Sequence, residues 1–183
     1  MNIESGKILQ DVKIITPFVF NDFRGTYVET FNKKEYSKFR DYEGNSIDFV
    51  QDDISVSRRY TLRGLHGDKK TWKLIQCLKG TIFVAIVDMR PESENYLKHE
   101  TFSLSDWDRR QLLVPAGFAN GHLCLTEYCI FSYKQSTYYE GKEKQFTVRW
   151  DDPSVGVRWP IQNPILSNRD HDVKHLDLEK NSP

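Results

Sequence analysis

Short apolar runs separated by turn residues dominate this chain. The runs are rich in Val, Ile, Phe, Tyr and Thr and end at Gly, Pro or Asp, a pattern typical of β-strands. They cover residues 13–20, 26–31, 48–57, 73–78, 81–89, 98–104, 110–116 and 127–135. The polar stretch 32–44 predicts one short helix that ends at Gly44, and we expect another turn or two of helix after Pro164. Many short strands with few helices predict an all-β fold, most simply a cupin-type jelly roll.

One of these runs, DFVQDDISVS, alternates with a period of two residues. Gln51, Asp53 and Ser55 share one face of the predicted strand, whereas Ile54 and Val56 lie on the other. A strand with one polar face is expected to line a pocket rather than a dry core.

Length and charge narrow the class of protein. The 183 residues suit one domain over 1–183, and the 38% of apolar residues indicate a globular chain. Twenty-six basic and 26 acidic side chains cancel, so we expect neither nucleic acid nor an anionic membrane as a partner. The polar start MNIESGKILQ and the lack of an 18-residue apolar run predict a cytoplasmic protein without signal peptide or membrane span.

The cysteine and histidine spacing does not suggest a metal site. Cys77, Cys124 and Cys129 form no CxxC pair, so buried, reduced thiols are expected. His66 is followed two residues later by Asp68, not by the second histidine of the HxH pair that metal-binding cupins use. We therefore predict no metal.

Several polar residues next to apolar runs admit both a structural and a chemical interpretation. His66 ends the stretch LRGLH and is either a hydrogen-bonded structural residue or a catalytic one. Lys73 begins the next run and is either solvated or partly desolvated in a pocket. The segment PAGFANGH, with Asn120, is either a plain connection or backbone packed close to a ligand. Tyr133 is either a cross-strand tyrosine or a site residue.

Taken in order, these segments resemble the dTDP-4-dehydrorhamnose 3,5-epimerase family of nucleotide-sugar epimerases. The similar pieces run from about residue 20 to 170 and are FNDFRGTYVETF, FVQDDIS, LRGLH, the KL of WKLIQC, GTIFVAIVDMR, LVPAGFANGH, the YK at 133–134, WDDPSVGVRWP and ILSNRD. The resemblance implies a metal-free jelly roll, usually a homodimer, that needs no cofactor because the ketone of the substrate accepts the electrons.

The resemblance also implies catalytic roles. A 4-keto sugar has acidified protons on C3 and C5, and their inversion needs a base on one face and an acid on the other. His66 matches the general base and Asp170 the carboxylate that orients it. Lys73 matches the cation beside the C4 oxygen, and Tyr133 the acid that returns the proton.

Further residues match positions that the family uses to bind the nucleotide, diphosphate and sugar: Arg24, Glu29, Gln51, Arg63, Asn120 and Tyr138. Arginine suits a diphosphate because its planar fork donates two hydrogen bonds to one group.

The chain departs from the family pattern around the sugar. The family usually reads GFAHGF where this chain reads GFANGH, so Asn120 replaces a histidine and His122 an aromatic residue. GDKKTW replaces a longer Pro-rich loop, and Asp53 replaces an asparagine. These changes resemble the branch that acts on GDP-linked 4-keto-heptoses. We therefore expect a GDP-4-keto-6-deoxy-heptose, for capsule or lipopolysaccharide, to be epimerised at C3 or at C3 and C5.

Three alternatives remain open. The first keeps the chemistry but uses the dTDP-linked 4-keto-6-deoxyglucose of rhamnose synthesis. The second is a sugar 3,4-ketoisomerase of related fold, which moves the carbonyl. The third is a non-catalytic cupin that binds a sugar nucleotide.

Overall fold

A computed structural model describes residues 1–177; the end of the predicted domain, 178–183, lies outside the described residues. Strands occupy β1 (Asn2–Ser5), β2 (Lys13–Thr16), β3 (Val19–Asp22), β4 (Gly25–Val28), β5 (Gln51–Arg58), β6 (Leu62–Gly67), β7 (Lys73–Lys79), β8 (Thr81–Asp88), β9 (His99–Ser105), β10 (Gln111–Val114), β11 (Phe118–Cys124), β12 (Tyr128–Gln135) and β13 (Phe146–Thr147). The helices are α1 (Lys33–Tyr36), α2 (Asn168–Asp172) and a 3₁₀ turn at Lys142–Lys144.

The strands form two facing sheets and a separate hairpin. One sheet has the order β1-β2-β10-β7-β12-β5 and the other β13-β6-β11-β8-β9, while β3 and β4 pair only with each other. All strand pairs are antiparallel. Apolar side chains from both sheets fill the space between them. This arrangement confirms the predicted all-β jelly roll.

Strand β8 shows how a continuous apolar run becomes a central strand. Its inner residues Val84 and Ile86 join the core between the sheets. Its outer residues Ala85 and Val87 are also buried, because the C-terminal segment packs on them through Val155 and its neighbours. A strand that is covered on both faces reads as an unbroken apolar run, as 82–87 does.

The polar face of β5 points inward, as its alternation predicts. Gln51, Asp53 and Ser55 are half-buried on the inner side of this edge strand. Ile54 and Val56 lie on the outer side and are 64% and 59% exposed. The strand therefore turns polar groups toward the interior and apolar groups toward solvent, the reverse of the usual order.

The predicted helix over 32–44 is wrong in length. Asn32 caps the helix through its side chain, but the helix ends after Tyr36. Asp41 then accepts hydrogen bonds from the backbone of Glu43 and Asn45, which closes a turn. Such side chain-to-backbone bonds compete with helical ones and stop the helix early.

Two more predicted elements differ in the structure. The run 13–20 is divided into β2 and β3 around Pro17, because proline cannot donate a ladder hydrogen bond. PAGFANGH is not a plain connection, because Phe118–Cys124 forms β11 in the centre of its sheet. Gly121 makes this possible: a Cβ atom there would lie 2.9 Å from the Arg63 carbonyl oxygen. The predicted helical turn after Pro164 is confirmed by α2.

The hairpin β3–β4 exposes its aromatic side chains. Phe20, Phe23 and Tyr27 are 63%, 97% and 68% exposed. Cys77, Cys124 and Cys129 are buried and unbridged, as expected. Within residues 1–177, none of the helices has the length and apolarity to cross a membrane.

Candidate active site

A pocket of about 270 Å³ lies between the two sheets and contains the predicted catalytic residues. His66 and Asn120 come from the five-stranded sheet, and Lys73 and Tyr133 from the six-stranded sheet. The wall also includes Ser55, Arg63, His122, Phe131, Gln135, Tyr139, Gln145, Ser167, Arg169 and Asp170. The two sheets thus present different chemical groups to opposite sides of whatever occupies the pocket.

His66 and Asp170 form a tight pair at one wall. The Nε2 atom of His66 lies 2.6 Å from Oδ1 of Asp170, which is buried in α2. Burial acts to raise the pKa of Asp170, but hydrogen bonds from His66, Ser167 and the Gly64 backbone outweigh it and hold the pKa below its usual value. The carboxylate is therefore ionised and accepts the Nε2 proton, which leaves Nδ1 as the basic atom of the neutral imidazole.

A β-bulge in β6 explains why Arg63 and His66 line the same pocket. In a regular strand, residues three apart point to opposite faces. Here Asn120 pairs with His66 and His122 pairs with Arg63, so two residue steps on β11 match three steps on β6. The extra residue on β6 brings both side chains to one side.

Lys73 is a desolvated lysine, as its apolar neighbours predict. Its side chain is buried, and its Nζ donates a hydrogen bond of 3.2 Å to Oδ1 of Asn120. Burial lowers the pKa of Lys73 to about 8, with Asp68 opposing the shift and Arg169 adding to it. The lysine is mostly charged at neutral pH, although most of its hydration is gone.

Tyr133 is a half-buried phenol on β12. Burial raises its pKa, the charge of Asp53 and the neighbouring phenol of Tyr139 add to the rise, and the charge of Arg63 opposes it. The phenol therefore keeps its proton at neutral pH and can donate it.

Gln51 and Asp53 form a hydrogen bond with each other and do not line the pocket. Asp53 accepts hydrogen bonds from Nε2 of Gln51 at 2.7 Å and from Nε2 of Gln135 at 3.0 Å. The Oε1 atom of Gln51 accepts a bond from the Tyr139 backbone. These contacts hold the carboxylate that replaces the family's asparagine, and Gln51 is not one of the residues that line the pocket.

Tyr138 lies in a neighbouring cleft and not in the pocket around His66. This cleft, about 840 Å³ in volume, shares Gln135, Tyr139 and Gln145 with the pocket and continues from it. Three lysines also line it: Lys69, Lys70 and Lys144.

Arg24 and Glu29 stand apart from the pocket in this single chain. Arg24 is exposed at the hairpin and donates to Asp22 at 2.7 Å. Glu29 follows β4 and is also exposed.

The prediction from sequence missed some residues of the pocket. Arg169 precedes Asp170 in SNRD and donates to Thr147 Oγ1 at 2.7 Å, which ties α2 to β13. Gln135 follows Tyr133 with strand alternation, and this spacing could have revealed it. Among residues 1–177, no three His, Cys, Asp or Glu side chains cluster closely enough to hold a metal ion.

Comparison with known proteins identifies the family. The dTDP-4-dehydrorhamnose 3,5-epimerase family model matches residues 7–177. The dTDP-4-dehydrorhamnose 3,5-epimerase of Shigella flexneri is 38% identical over 173 residues, which is 93% of each chain. The enzyme of that name from Methanothermobacter thermautotrophicus is 39% identical over 168 residues, covering 89% of this chain and 88% of its own.

Solved structures agree with this relationship. A crystal structure of the dTDP-6-deoxy-D-glucose-3,5-epimerase of Legionella pneumophila, in complex with dTDP-4-keto-L-rhamnose, superposes with a TM-score of 0.87. It is 33% identical, and the match covers 97% of this chain and 95% of that one. The chain is therefore an isomerase of the epimerase class and belongs to the dTDP-4-dehydrorhamnose 3,5-epimerase family.

Proposed function

We propose that this chain epimerises a nucleotide-linked 4-keto-6-deoxy sugar by moving a proton at the carbon beside the C4 ketone. The observation that carries the proposal is the arrangement of the pocket. His66 pairs with Asp170 at one wall, and Lys73 and Tyr133 lie at the opposite wall. An epimerisation needs a base and an acid on opposite faces of the sugar, and the two sheets supply them.

The chemistry follows from these positions. The Nδ1 atom of His66 removes the proton, and the electron pair of the broken C–H bond forms the enolate. Negative charge then develops on the C4 oxygen, where the ammonium of Lys73 stabilises it. Tyr133 delivers a proton to the opposite face of the same carbon, which inverts it. The ketone itself accepts the electrons, so the proposed reaction uses no cofactor.

The first candidate substrate is the dTDP-linked 4-keto-6-deoxyglucose of rhamnose synthesis. Relatives that are 38% and 39% identical over about nine-tenths of the chain are dTDP-4-dehydrorhamnose 3,5-epimerases. The Legionella structure holds dTDP-4-keto-L-rhamnose. Such relatives favour inversion at both C3 and C5.

The second candidate is a GDP-linked 4-keto-6-deoxy-heptose used for capsule or lipopolysaccharide. Asn120 and His122 both line the pocket, and both depart from the GFAHGF pattern of the family. Asparagine is smaller than the histidine it replaces, which leaves room for an additional hydroxyl-bearing carbon, and His122 adds a polar group where the family has an aromatic residue. The relatives carry names of enzymes for dTDP-linked sugars, so this candidate is supported by the pocket alone.

The cleft beside the pocket is the place we propose for the nucleotide. It continues from the pocket and has two tyrosines, Tyr138 and Tyr139, against which a base can stack. Lys69 and Lys70 come from the short loop GDKKTW and offer cationic donors to a diphosphate. Arg63, in the pocket itself, is the further cation we assign to the diphosphate.

We also propose a homodimer. The exposed aromatic hairpin and the exposed Ile54 and Val56 on β5 are apolar surface that a second copy would cover. Arg24 and Glu29 would then serve the pocket of the second copy, which reconciles their predicted role with their distance from this one. Ile54→Lys is expected to yield monomers in analytical ultracentrifugation, whereas Asp52→Asn, on the same outer face, should leave dimers.

Proton NMR in D₂O tests the proposed function. The dTDP-4-keto-6-deoxyglucose and the GDP-4-keto-6-deoxy-heptose are each followed with the wild-type protein and with His66→Asn. Loss of the C3 and C5 signals with the first sugar supports the rhamnose substrate, and loss with only the second supports the heptose. A moved carbonyl would indicate a 3,4-ketoisomerase. Binding of either compound without exchange would indicate a non-catalytic cupin.

A further inference from the structure

Asn120 connects the two sheets across the pocket. It lies in β11 directly opposite His66 in the neighbouring strand, and its side chain lines the pocket. Its Oδ1 atom lies 3.2 Å from Nζ of Lys73, which belongs to the facing sheet. The amide is therefore adjacent to both the proposed base and the proposed cation.

The chemistry of lysine fixes the orientation of this amide. A charged lysine has donors and no acceptor, so the oxygen of Asn120, and not its nitrogen, must face Lys73. The nitrogen Nδ2 then points elsewhere with two N–H groups. Within the described part of the chain, Nδ2 makes no hydrogen bond to another side chain or to the backbone. Two donors are thus left at the edge of the pocket beside Lys73.

We propose that Asn120 is a catalytic residue whose Nδ2 donates a hydrogen bond to the C4 oxygen of the sugar, beside the bond from Lys73. The inference rests on the proposed function, because it needs a 4-keto sugar in this pocket. As His66 takes the proton, the C–H electrons form the enolate and the C4 oxygen gains negative charge. Both donors strengthen as that charge grows, and the charge returns to carbon when Tyr133 gives up its proton.

An asparagine supplies something that the histidine usual in the family does not. An imidazole that accepts from Lys73 through one nitrogen keeps a single N–H, and it titrates near neutral pH. The amide has two N–H groups and remains neutral at every working pH. The pocket thereby gains a donor whose protonation state does not change beside the lysine.

The alternative is that Asn120 merely holds Lys73 in place, and substitutions of similar size separate the two roles. Asn120→Asp retains two acceptor oxygens for Lys73 but has lost both donors. Asn120→Leu has neither donor nor charge and shows whether the new charge of the aspartate is responsible. Asn120→His restores one N–H.

The experiment measures kcat and KM for whichever of the two nucleotide sugars the wild-type protein epimerises. If Asn120 donates to the C4 oxygen, Asn120→Asp and Asn120→Leu each lose about 100-fold in kcat with little change in KM, and Asn120→His recovers most of the rate. If Asn120→Asp retains nearly the full kcat, the residue only positions Lys73 and the inference is overturned. An active Asn120→Leu beside an inactive Asn120→Asp overturns it too, because charge then explains the loss.

Two controls keep the result interpretable. Titration with dTDP and with GDP checks that each variant is folded, because the nucleotide cleft does not include Asn120. Asn95→Leu, which removes an amide that accepts from Lys98 on the surface, should leave kcat unchanged. A wild-type protein that is inactive on both sugars overturns the proposed function, whereas an active wild type with unaffected Asn120 variants overturns only this inference.

Discussion

The Nε2 atom of His66 lies 2.6 Å from the Oδ1 atom of Asp170, although 104 residues separate them in the chain. Asp170 is held in turn by Ser167, whose hydroxyl donates to its Oδ2 at 3.0 Å. Because Ser167 also caps α2, the position of the carboxylate is fixed by the start of that helix. The pair therefore has one tautomer and one ring orientation before any substrate binds.

We predict that Asp170→Asn lowers kcat by about 10³- to 10⁴-fold. An amide can donate to Nε2, which favours the tautomer that carries its proton on Nδ1, and that tautomer has no lone pair for the substrate. Deuterium incorporation at C3 of the sugar measures the loss. Asp172→Asn, in the same helix but exposed and paired with His171, should retain full activity. A rate within tenfold of wild type in Asp170→Asn would contradict the orienting role.

Replacing Tyr133 should separate proton removal from inversion. In Tyr133→Phe, His66 can still exchange the C3 proton with solvent, but the opposite face lacks its acid. We expect epimer formation to fall by about 100-fold or more while exchange with retention of configuration continues. Proton NMR in D₂O records both rates in one sample.

The control for this variant is Tyr128→Phe, an exposed tyrosine at the start of the same strand. It should leave exchange and inversion at their wild-type rates. Equal losses of exchange and inversion in Tyr133→Phe would indicate that the phenol has a different role.

The jelly roll could be predicted because strand patterning survives in the sequence. Alternation in 48–57 predicts the polar inward face of β5, and the run 81–89 predicts the strand β8, whose burial on both faces only the structure shows. Glycine hides the strand β11 in the sequence, because PAGFANGH suits a plain connection as well as backbone packed close to a ligand. Gly121 lets β11 approach β6 closely, which depends on a partner strand that is distant in sequence.

The site could be predicted only for residues whose type suits an acid, a base or a cation and whose position matches the family pattern. His66, Lys73 and Tyr133 could be named from the family pattern, and the structure brings them to one pocket. The bulge that turns Arg63 to the same side depends on register, which periodicity does not encode. Arg24 and Glu29 were also named, but a single chain does not bring them to its own pocket.

We predict that kcat/KM declines at alkaline pH because Lys73 loses its proton there. Its pKa of about 8 lies below the usual value for lysine because the side chain is buried. Since the ammonium is the form proposed to stabilise the enolate, kcat/KM should fall as the pH rises through that value. Asp68 and Arg169 are the charged groups that act on Lys73, with opposite signs. Tyr133 does not contribute to this alkaline decline, because its pKa is raised and it stays protonated.

Measurement of kcat/KM from about pH 6 to pH 10 records this alkaline decline. The matched variant is Lys73→Arg, whose guanidinium remains charged over this range, so any residual activity should show no fall near pH 8. Lys73→Met should lose activity at every pH. A wild-type profile that stays level to pH 10 would show that the charge on Lys73 is not required.

His122 should lower the stability of the fold. Its ring stacks on Phe131 with centroids 4.0 Å apart, it is buried, and its Nε2 has no hydrogen-bond partner within residues 1–177. A buried polar atom without a partner costs about 1–3 kcal/mol. Phenylalanine, usual in the family at this position, keeps the stacking and removes the polar atom, so His122→Phe should raise the free energy of unfolding by about that amount in urea.

The pH dependence of stability provides an independent check on His122. Burial lowers its pKa to about 3, with the neighbouring Arg63 and His66 adding to the shift. Below the ordinary value of 6.5 the unfolded chain binds a proton that the folded chain does not, so this histidine makes stability fall as the pH drops from 6.5 toward 3. The advantage of His122→Phe over wild type should therefore grow on acidification in that window. A constant difference between His122→Phe and wild type would contradict the neutral, buried state of His122.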